Sequence, residues 1–189
     1  MKNKLLLVLL AALFFASCSR TDEQVSLNND NEGNSSELFY KKGCKNYKEI
    51  KGILTYNYSS AASNSCGEGY TSTGNYTGSG KVSHLGKVTS TTVGCYGAIL
   101  DESYNWIGVN ILGGQETTFK MPNGDLIYLS NDPYELYFID NGVVSGEAKF
   151  YFNGGTGKYS NAQGSFTCDV VNYLFEGKFT VDLEGYLKY

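Results

Sequence analysis

Histidine is the side chain best suited to transfer protons at neutral pH, and this chain of 189 residues contains one, His84. Residues 79–93 read as one long strand in which Val82, His84 and Val88 share a face, so we expect His84 to point inward. General acid–base catalysis would also need a companion group, for which Tyr104 is the candidate. Because the sequence forces no such pair together, a structural role is the favoured interpretation of His84.

Other sequence motifs for catalysis fail on their spacing. The stretch G-G-T-G-K at residues 154–158 is not a phosphate-binding loop, because Phe152 stands where the loop requires glycine and Tyr159 follows the lysine. No G-x-S-x-G elbow marks a nucleophilic serine. Most Asp and Glu residues alternate onto predicted solvent faces, which does not suggest a pair of catalytic carboxylates. We therefore expect no nucleotide and no cofactor.

Four cysteines follow the first one, which is Cys18, and could form two disulfides: Cys44, Cys66, Cys95 and Cys168. All three connectivities are open, and the preferred pairing joins Cys44 to Cys66 and Cys95 to Cys168. No two of them have the C-x₂₋₄-C spacing of a zinc site, and one histidine cannot complete a His-rich site. We expect no metal.

Aromatic residues are frequent, with 16 Tyr, 10 Phe and one Trp, and most alternate like core residues. Tyr70 and Tyr76 lie in residues 59–78, a segment rich in Ser, Asn, Gly and Thr that we interpret as a long exposed loop. Aromatic rings in such a loop suit stacking on sugar rings or small planar ligands. Tyr70, Tyr76 and Trp106 are the candidate ligand-binding residues, for a small apolar ligand or a glycan.

The N-terminus reads as an export signal. Lys2 and Lys4 precede an apolar run at residues 5–16, which is too short to span a bilayer comfortably. Ala16 and Ser17 before Cys18 resemble the lipobox of bacterial lipoproteins, which implies acylation of Cys18 and attachment to a membrane. We expect a signal peptide at residues 1–17, a lipidated flexible tether at 18–40 and one barrel domain at 41–189. The expected location is the bacterial cell envelope, at the outer membrane.

Charge argues against nucleic-acid partners. The net charge is −4, and removing Lys2 and Lys4 leaves 13 basic residues against 19 acidic ones, or −6. The sequence has one arginine, Arg20, and no Lys/Arg run of the kind that supplies affinity for phosphates.

Alternation at period two indicates about eight antiparallel strands and no amphipathic helix of ordinary length after the export signal. It is clearest at residues 175–189, where apolar residues and glycines alternate with polar ones. Asn123-Gly124 and Asn141-Gly142 each separate two strand patterns and predict hairpins. The glycine-rich residues 152–164 predict a sharp corner. An up-and-down barrel is the favoured fold, because closure removes exposed edges, and a two-sheet sandwich is the alternative.

Three motifs and the chain terminus form a recognisable set: G-S-G-K-V-S-H-L-G-K at residues 78–87, M-P-N-G-D-L-I-Y at 121–128, F-N-G-G-T-G-K-Y-S-N-A-Q-G-S-F at 152–166 and the closing G-Y-L-K-Y. Together they resemble bacterial relatives of the allene oxide cyclase and dirigent barrel. The resemblance implies a calycin-like, eight-stranded antiparallel barrel. It assigns no reaction, because the shared motifs are the glycine corners that build the fold.

These observations favour a non-catalytic, membrane-anchored lipoprotein whose barrel binds a small apolar or amphipathic ligand or a surface partner. An isomerase-like or cyclase-like enzyme with its site in the lumen is the first alternative. A structural or adhesive surface protein with a filled barrel is the second. The state of the lumen distinguishes them, since an eight-stranded barrel is either filled by side chains or holds one small ligand.

Overall fold

The computed structural model describes residues 46–62 and 65–189, which lie in a compact unit, Gly43–Tyr189. Cys18, Cys44 and the segments predicted as signal peptide and tether lie outside the described residues. The elements are ten strands and two short 3₁₀ helices: β1 Lys48–Ala62, β2 Ser72–Val82, β3 Gly86–Leu100, β4 Trp106–Ile111, β5 Thr117–Lys120, β6 Leu126–Asn131, β7 Tyr134–Asp140, β8 Val143–Gly155, η1 Gly157–Tyr159, β9 Gln163–Tyr173, η2 Leu174–Glu176 and β10 Lys178–Lys188.

The strands pair into a closed antiparallel ring, which confirms the predicted eight-stranded barrel. The order is β2-β1-β10-β9-β8-β6-β5-β3, and β2 pairs again with β3 to close it. Between β3 and β8 the wall consists of two short strand pairs, one above the other along the barrel axis. β5 and β6 form it at one end, and β4 and β7 form it at the other. Any cross-section therefore contains eight strands, although ten are present among the described residues.

A seam between those two short pairs is joined by two amide side chains. The buried Asn131 carboxamide donates to the carbonyl groups of Leu112 and Asp132, at 3.0 and 2.9 Å, and its Oδ1 accepts the Gln115 backbone N–H at 3.1 Å. Gln115 in turn donates from Nε2 to the Cys95 carbonyl on β3, at 2.9 Å. The seam is thus satisfied by hydrogen bonds where the ladders stop, as buried backbone groups require.

The two ends of the barrel differ in packing. At the closed end, where β1 begins, β10 ends and the β2–β3 and β5–β6 hairpins lie, Ile50, Val88, Ile127, Tyr159 and Leu187 are each at most 1% exposed. The open end is where β1 ends, β2 begins and the β7–β8 hairpin lies. The interior there is lined by half-buried rings, which leaves access for solvent.

Both predicted Asn-Gly turns are confirmed. Asn123-Gly124 joins β5 to β6 and Asn141-Gly142 joins β7 to β8, with φ of +89° at Gly124 and +73° at Gly142. The glycine corner at residues 152–164 is also confirmed, since Gly154 takes φ +82° where β8 ends before η1.

Two sequence interpretations were wrong about β2. Residues 79–93 are the end of β2, a turn and the start of β3, with Lys81 opposite Lys87. Residues 59–78 are largely strand, because β1 continues to Ala62 and pairs with β2 from Ser72 onward. Backbone hydrogen bonds to the neighbouring strands keep these polar segments in the barrel wall. A low content of apolar side chains therefore does not distinguish them from a loop.

The disulfide prediction also fails, because Cys66 bonds to Cys95. The bridge ties the chain between β1 and β2 to β3, whose residue Cys95 lies opposite Thr73. Cys168, the predicted partner of Cys95, is a buried free thiol on β9 whose pKa is raised by burial to about 12. Cys44, the predicted partner of Cys66, lies outside the described residues.

Peptide mapping of the oxidised chain should recover a Cys66–Cys95 peptide pair. Replacing both residues by Ala should lower the free energy of unfolding by about 3 kcal/mol, because the bridge constrains the unfolded chain across 29 residues. The exposed double variant Ser59→Ala/Thr77→Ala is the control. Recovery of a disulfide-linked Cys95–Cys168 peptide pair would contradict the Cys66–Cys95 bond.

Candidate functional site

A cavity of about 70 Å³ lies inside the barrel, in the half nearer the open end. None of its described lining residues is Asp, Glu, His, Lys or Arg. They are Leu54, Tyr56, Tyr76, Thr92, Ile111, Gln115, Thr117, Phe119, Asn131, Tyr134, Leu136, Phe150, Phe166, Val170, Asn172, Phe179, Val181 and Leu183. An uncharged, largely apolar pocket with a few polar groups has the composition of a small-molecule site.

Stacked rings form much of the cavity wall. Tyr56 on β1 stacks on Phe179 of β10, with centroids 4.5 Å apart and planes 3° from parallel, and Tyr76 meets the same Phe179 edge-on at 5.7 Å. Deeper in the lumen, Phe150 and Phe166 stack at 5.1 Å. Such pairs contribute about 0.5–1.5 kcal/mol beyond area burial, so the wall is held in one arrangement.

Glycines on the inner face of β2 make room for these rings. A Cβ on Gly78 would collide with the Tyr56 ring, and one on Gly74 would collide with the Tyr76 phenol. Since both glycines lie on the face of β2 that carries Tyr76, the strand alternates small and large residues toward the lumen.

Three phenols of the cavity wall are kept neutral. Burial raises the pKa of Tyr56, Tyr76 and Tyr134 well above the usual tyrosine value, because desolvation disfavours the phenolate. The pKa of Tyr58, which adjoins Tyr76 at 5.8 Å, is raised for the same reason, and its hydroxyl donates to the Leu174 carbonyl at 3.3 Å. At neutral pH these groups act as hydrogen-bond donors and not as bases.

The cavity also contains an unused acceptor. Asn172 lines it, and its Oδ1 is buried without a hydrogen-bond partner among the described residues. A buried unsatisfied oxygen costs about 1–3 kcal/mol, which a ligand hydroxyl could recover. On the opposite wall, the hydroxyl groups of Thr92 and Thr117 bond to each other at 2.7 Å.

The two candidates for acid–base catalysis, His84 and Tyr104, lie on the outside of the barrel and apart from the cavity. His84 is exposed in the β2–β3 turn with φ +62°, so it does not point inward as predicted. Tyr104 is 84% exposed with φ +63° in the turn before β4, which the Asp101 carboxylate holds by accepting the backbone N–H groups of Ser103 and Asn105. Both residues occupy turn positions, where local backbone geometry decides side-chain direction.

The three residues predicted to bind a ligand lie at three different places in the structure. Tyr76 lines the lumen cavity and not an exposed loop, whereas Tyr70 is half-buried in the segment between Cys66 and β2 and does not line the cavity. Trp106 lines a second, outer cleft with Phe138 and Phe175, where its Nε1 donates to the Gly108 carbonyl at 2.6 Å. Phe175, the first residue of the alternating run at residues 175–189, is 76% exposed because it lies in η2 and not in β10.

No group of three or more His, Cys, Asp or Glu side chains among the described residues is placed to hold a metal ion. Within the same residues, no helix is long and apolar enough to cross a membrane.

Two solved structures of dirigent proteins are similar to this chain. The pterocarpan synthase dirigent protein PsPTS1 superposes with a TM-score of 0.46 and 12% identity, over 77% of this chain and 96% of its own. The pterocarpan synthase dirigent protein GePTS1 gives 0.43 and 14%, over 76% and 85%. No family model and no curated protein matches the chain. Likeness at this level carries no argument about activity, and the barrel rests on its own strand pairings.

Sequence reasoning did not single out Tyr56, Tyr134 or Asn172 as site residues. In the sequence Tyr56 alternates with polar neighbours as any core tyrosine does, so this pattern does not distinguish a site residue. The available signal was glycine at 74 and 78 flanking Tyr76, since small residues beside a large one on one strand face indicate a shaped lumen.

The buried phenols predict an alkaline transition. Because Tyr56, Tyr76 and Tyr134 have raised pKa values when folded, they stabilise the fold below the unfolded pKa of about 10, and this stability is lost as pH rises above it. In a spectrophotometric titration, late phenolate absorbance should appear together with loss of near-ultraviolet circular dichroism. Tyr134→Phe should reduce that late step and Tyr128→Phe, on the outer wall, should not. Ionisation of all tyrosines before unfolding would contradict the geometry.

Proposed function

We propose that the barrel is a binding protein for a small, neutral, single-ring ligand, held in the lumen cavity. The observation that carries this is an aromatic, uncharged cavity whose phenols stay protonated. Stacked rings offer flat faces to a planar ligand, the phenols offer donors and Asn172 offers an acceptor. A phenol or a small cyclic alcohol matches this set.

Size and charge narrow the ligand class further. A cavity of about 70 Å³ is roughly five times the space that one water needs, which suits a single ring better than a long acyl chain. Around the open end, four carboxylates, Asp101, Glu102, Asp140 and Glu176, outnumber the lysine that the described residues place there, Lys178. Their field disfavours an anionic ligand, which supports a neutral one over a fatty acid.

Binding is favoured over catalysis because the described residues that line the cavity include no carboxylate, histidine or lysine that could act as a base. A phenol with a raised pKa holds its proton at neutral pH, and the Cys168 thiol, which interacts electrostatically with Tyr134, is also neutral because burial raises its pKa. The alternative is an isomerase-like or cyclase-like enzyme in which a neutral phenol donates to oxygen as charge develops on it. That role needs no base and uses the same residues, Tyr76 and Tyr134.

Calorimetric titration with 4-methylphenol tests the binding proposal. Asn172→Leu removes the acceptor while keeping similar volume, and affinity should fall about tenfold, the equivalent of one hydrogen bond. Asn75→Leu, on the outer face of the same barrel, is the matched control and should bind as the natural chain does. Absence of heat with the natural chain, or equal losses in both variants, would contradict the proposal. Native mass spectrometry of protein from its own host would then identify any retained ligand.

We further propose that this barrel belongs to an envelope lipoprotein, anchored through acylated Cys18. The support is the sequence alone: an apolar run at residues 5–16 and small residues before the cysteine. Burial of acyl chains at about 0.8 kcal/mol per CH₂ gives lasting attachment.

Fractionation of cells that express Cys18→Ala tests the anchor. The variant should move from the membrane fraction to the soluble fraction, and Cys168→Ala, which leaves the lipobox intact, should stay with the membrane. A Cys18→Ala chain that still sediments with membranes would refute acylation as the anchor, without bearing on the lumen ligand.

A further inference from the structure

Charge is strongly segregated along the barrel axis. Among the described residues, the closed end has seven lysines and four carboxylates, whereas the remainder of the barrel has two lysines and ten carboxylates. The closed-end lysines are Lys48, Lys51, Lys81, Lys87, Lys120, Lys158 and Lys188. They are dispersed in sequence and come from β1, β2, β3, β5, η1 and β10, so only the fold brings them to one end.

Most of these lysines are not neutralised by the protein. Lys51 forms ion pairs with both Glu49 and Glu184, at 2.9 and 3.0 Å, so a single lysine neutralises two of the four closed-end carboxylates. Lys48, Lys81, Lys87, Lys120 and Lys188 are exposed and form no ion pair among the described residues. The closed end therefore presents positive charge to solvent.

Two lysines of the closed end lie where their charges repel each other. Lys81 and Lys87 are directly opposite each other across the β2–β3 hairpin, and both side chains point outward. Like charges in directly opposed positions destabilise a sheet. An anion bound outside the hairpin would remove that repulsion.

We propose that the closed end docks on anionic lipid headgroups, so that the lumen opening faces away from the membrane. A flat anionic surface meets only the lysine-rich end. A long rigid polyanion such as duplex DNA would extend beside the barrel, where ten carboxylates repel it. Each lysine near an anionic membrane contributes about 1 kcal/mol, so five unpaired lysines suffice for reversible docking.

The carboxylates of the open end are too far from the closed end to repel an anionic membrane docked there. An 11-residue strand such as β10, tilted as in closed barrels, spans roughly 30 Å along the axis. The Debye length at physiological ionic strength is about 8 Å, so the carboxylates at the open end are screened from a surface at the closed end. Docking through the closed end requires neither acylation of Cys18 nor a ligand in the lumen.

Vesicle flotation of the unacylated chain, residues 19–189, tests the docking surface. This chain keeps the whole core, which runs from Ile50 to Leu187. It should float with mixed phosphatidylcholine–phosphatidylglycerol vesicles, but not with pure phosphatidylcholine, and high salt should release it. Lys81→Glu/Lys87→Glu should weaken binding at least about tenfold. Lys149→Glu/Lys178→Glu changes the net charge equally in the other half and should leave binding nearly unchanged.

Equal loss in the two double variants would overturn the proposal, because net charge alone would then explain binding, and so would tighter binding to heparin than to the anionic vesicles. Trp106, the only tryptophan of the chain, reports orientation from the open end. Its fluorescence should not be quenched by spin-labelled headgroups, and strong quenching would place the wrong end on the membrane. Thermal melts by circular dichroism check that each variant is folded.

Discussion

Closure of the ring between β3 and β8 is the constraint on which the other features depend. On the edges that face each other, neither β3 nor β8 pairs with one continuous strand. Two short strand pairs, β5–β6 and β4–β7, bridge them at different heights along the barrel. The seam left between those pairs would expose backbone groups to the lumen. Asn131 and Gln115 satisfy them, and both side chains also line the cavity. The groups that complete the wall thereby shape the candidate site.

Inside the closed ring, residue size decides where space remains. Aliphatic and aromatic side chains fill the closed end, whereas glycines on β2 let the Tyr56 and Tyr76 rings lie against the wall in the open half. The same burial that packs these rings keeps their phenols neutral, because a phenolate there would be poorly solvated. The cavity is therefore suited to neutral, planar molecules by packing and by electrostatics together.

The sequence predicts the parts of this fold that depend on period-two alternation and on turn chemistry. β1 and β10 alternate clearly, and Asn-Gly marks two hairpins. The β2–β3 turn is missed because the inward residues Val82 and Val88 are an even number of positions apart, so alternation continues in phase through the turn. Leu85, buried at an odd position, is the one residue that breaks it.

The candidate site is predicted less well. Tyr76 is selected for the wrong reason, as a loop residue, because the mouth of a barrel is lined with polar strands and glycines that resemble a loop in sequence. His84 is misplaced by the same missed turn. Disulfide connectivity and the basic closed end both depend on which distant residues the ring closure brings together, which no local pattern encodes.

Xenon binding tests the open lumen most directly, since xenon enters apolar cavities without needing polar groups. Crystals of residues 19–189 under xenon pressure should show an ordered atom between Phe150, Phe179 and Tyr134, in the open half of the barrel. A lumen packed throughout, with no xenon there and all phenols hydrogen-bonded to neighbouring side chains, would contradict the account.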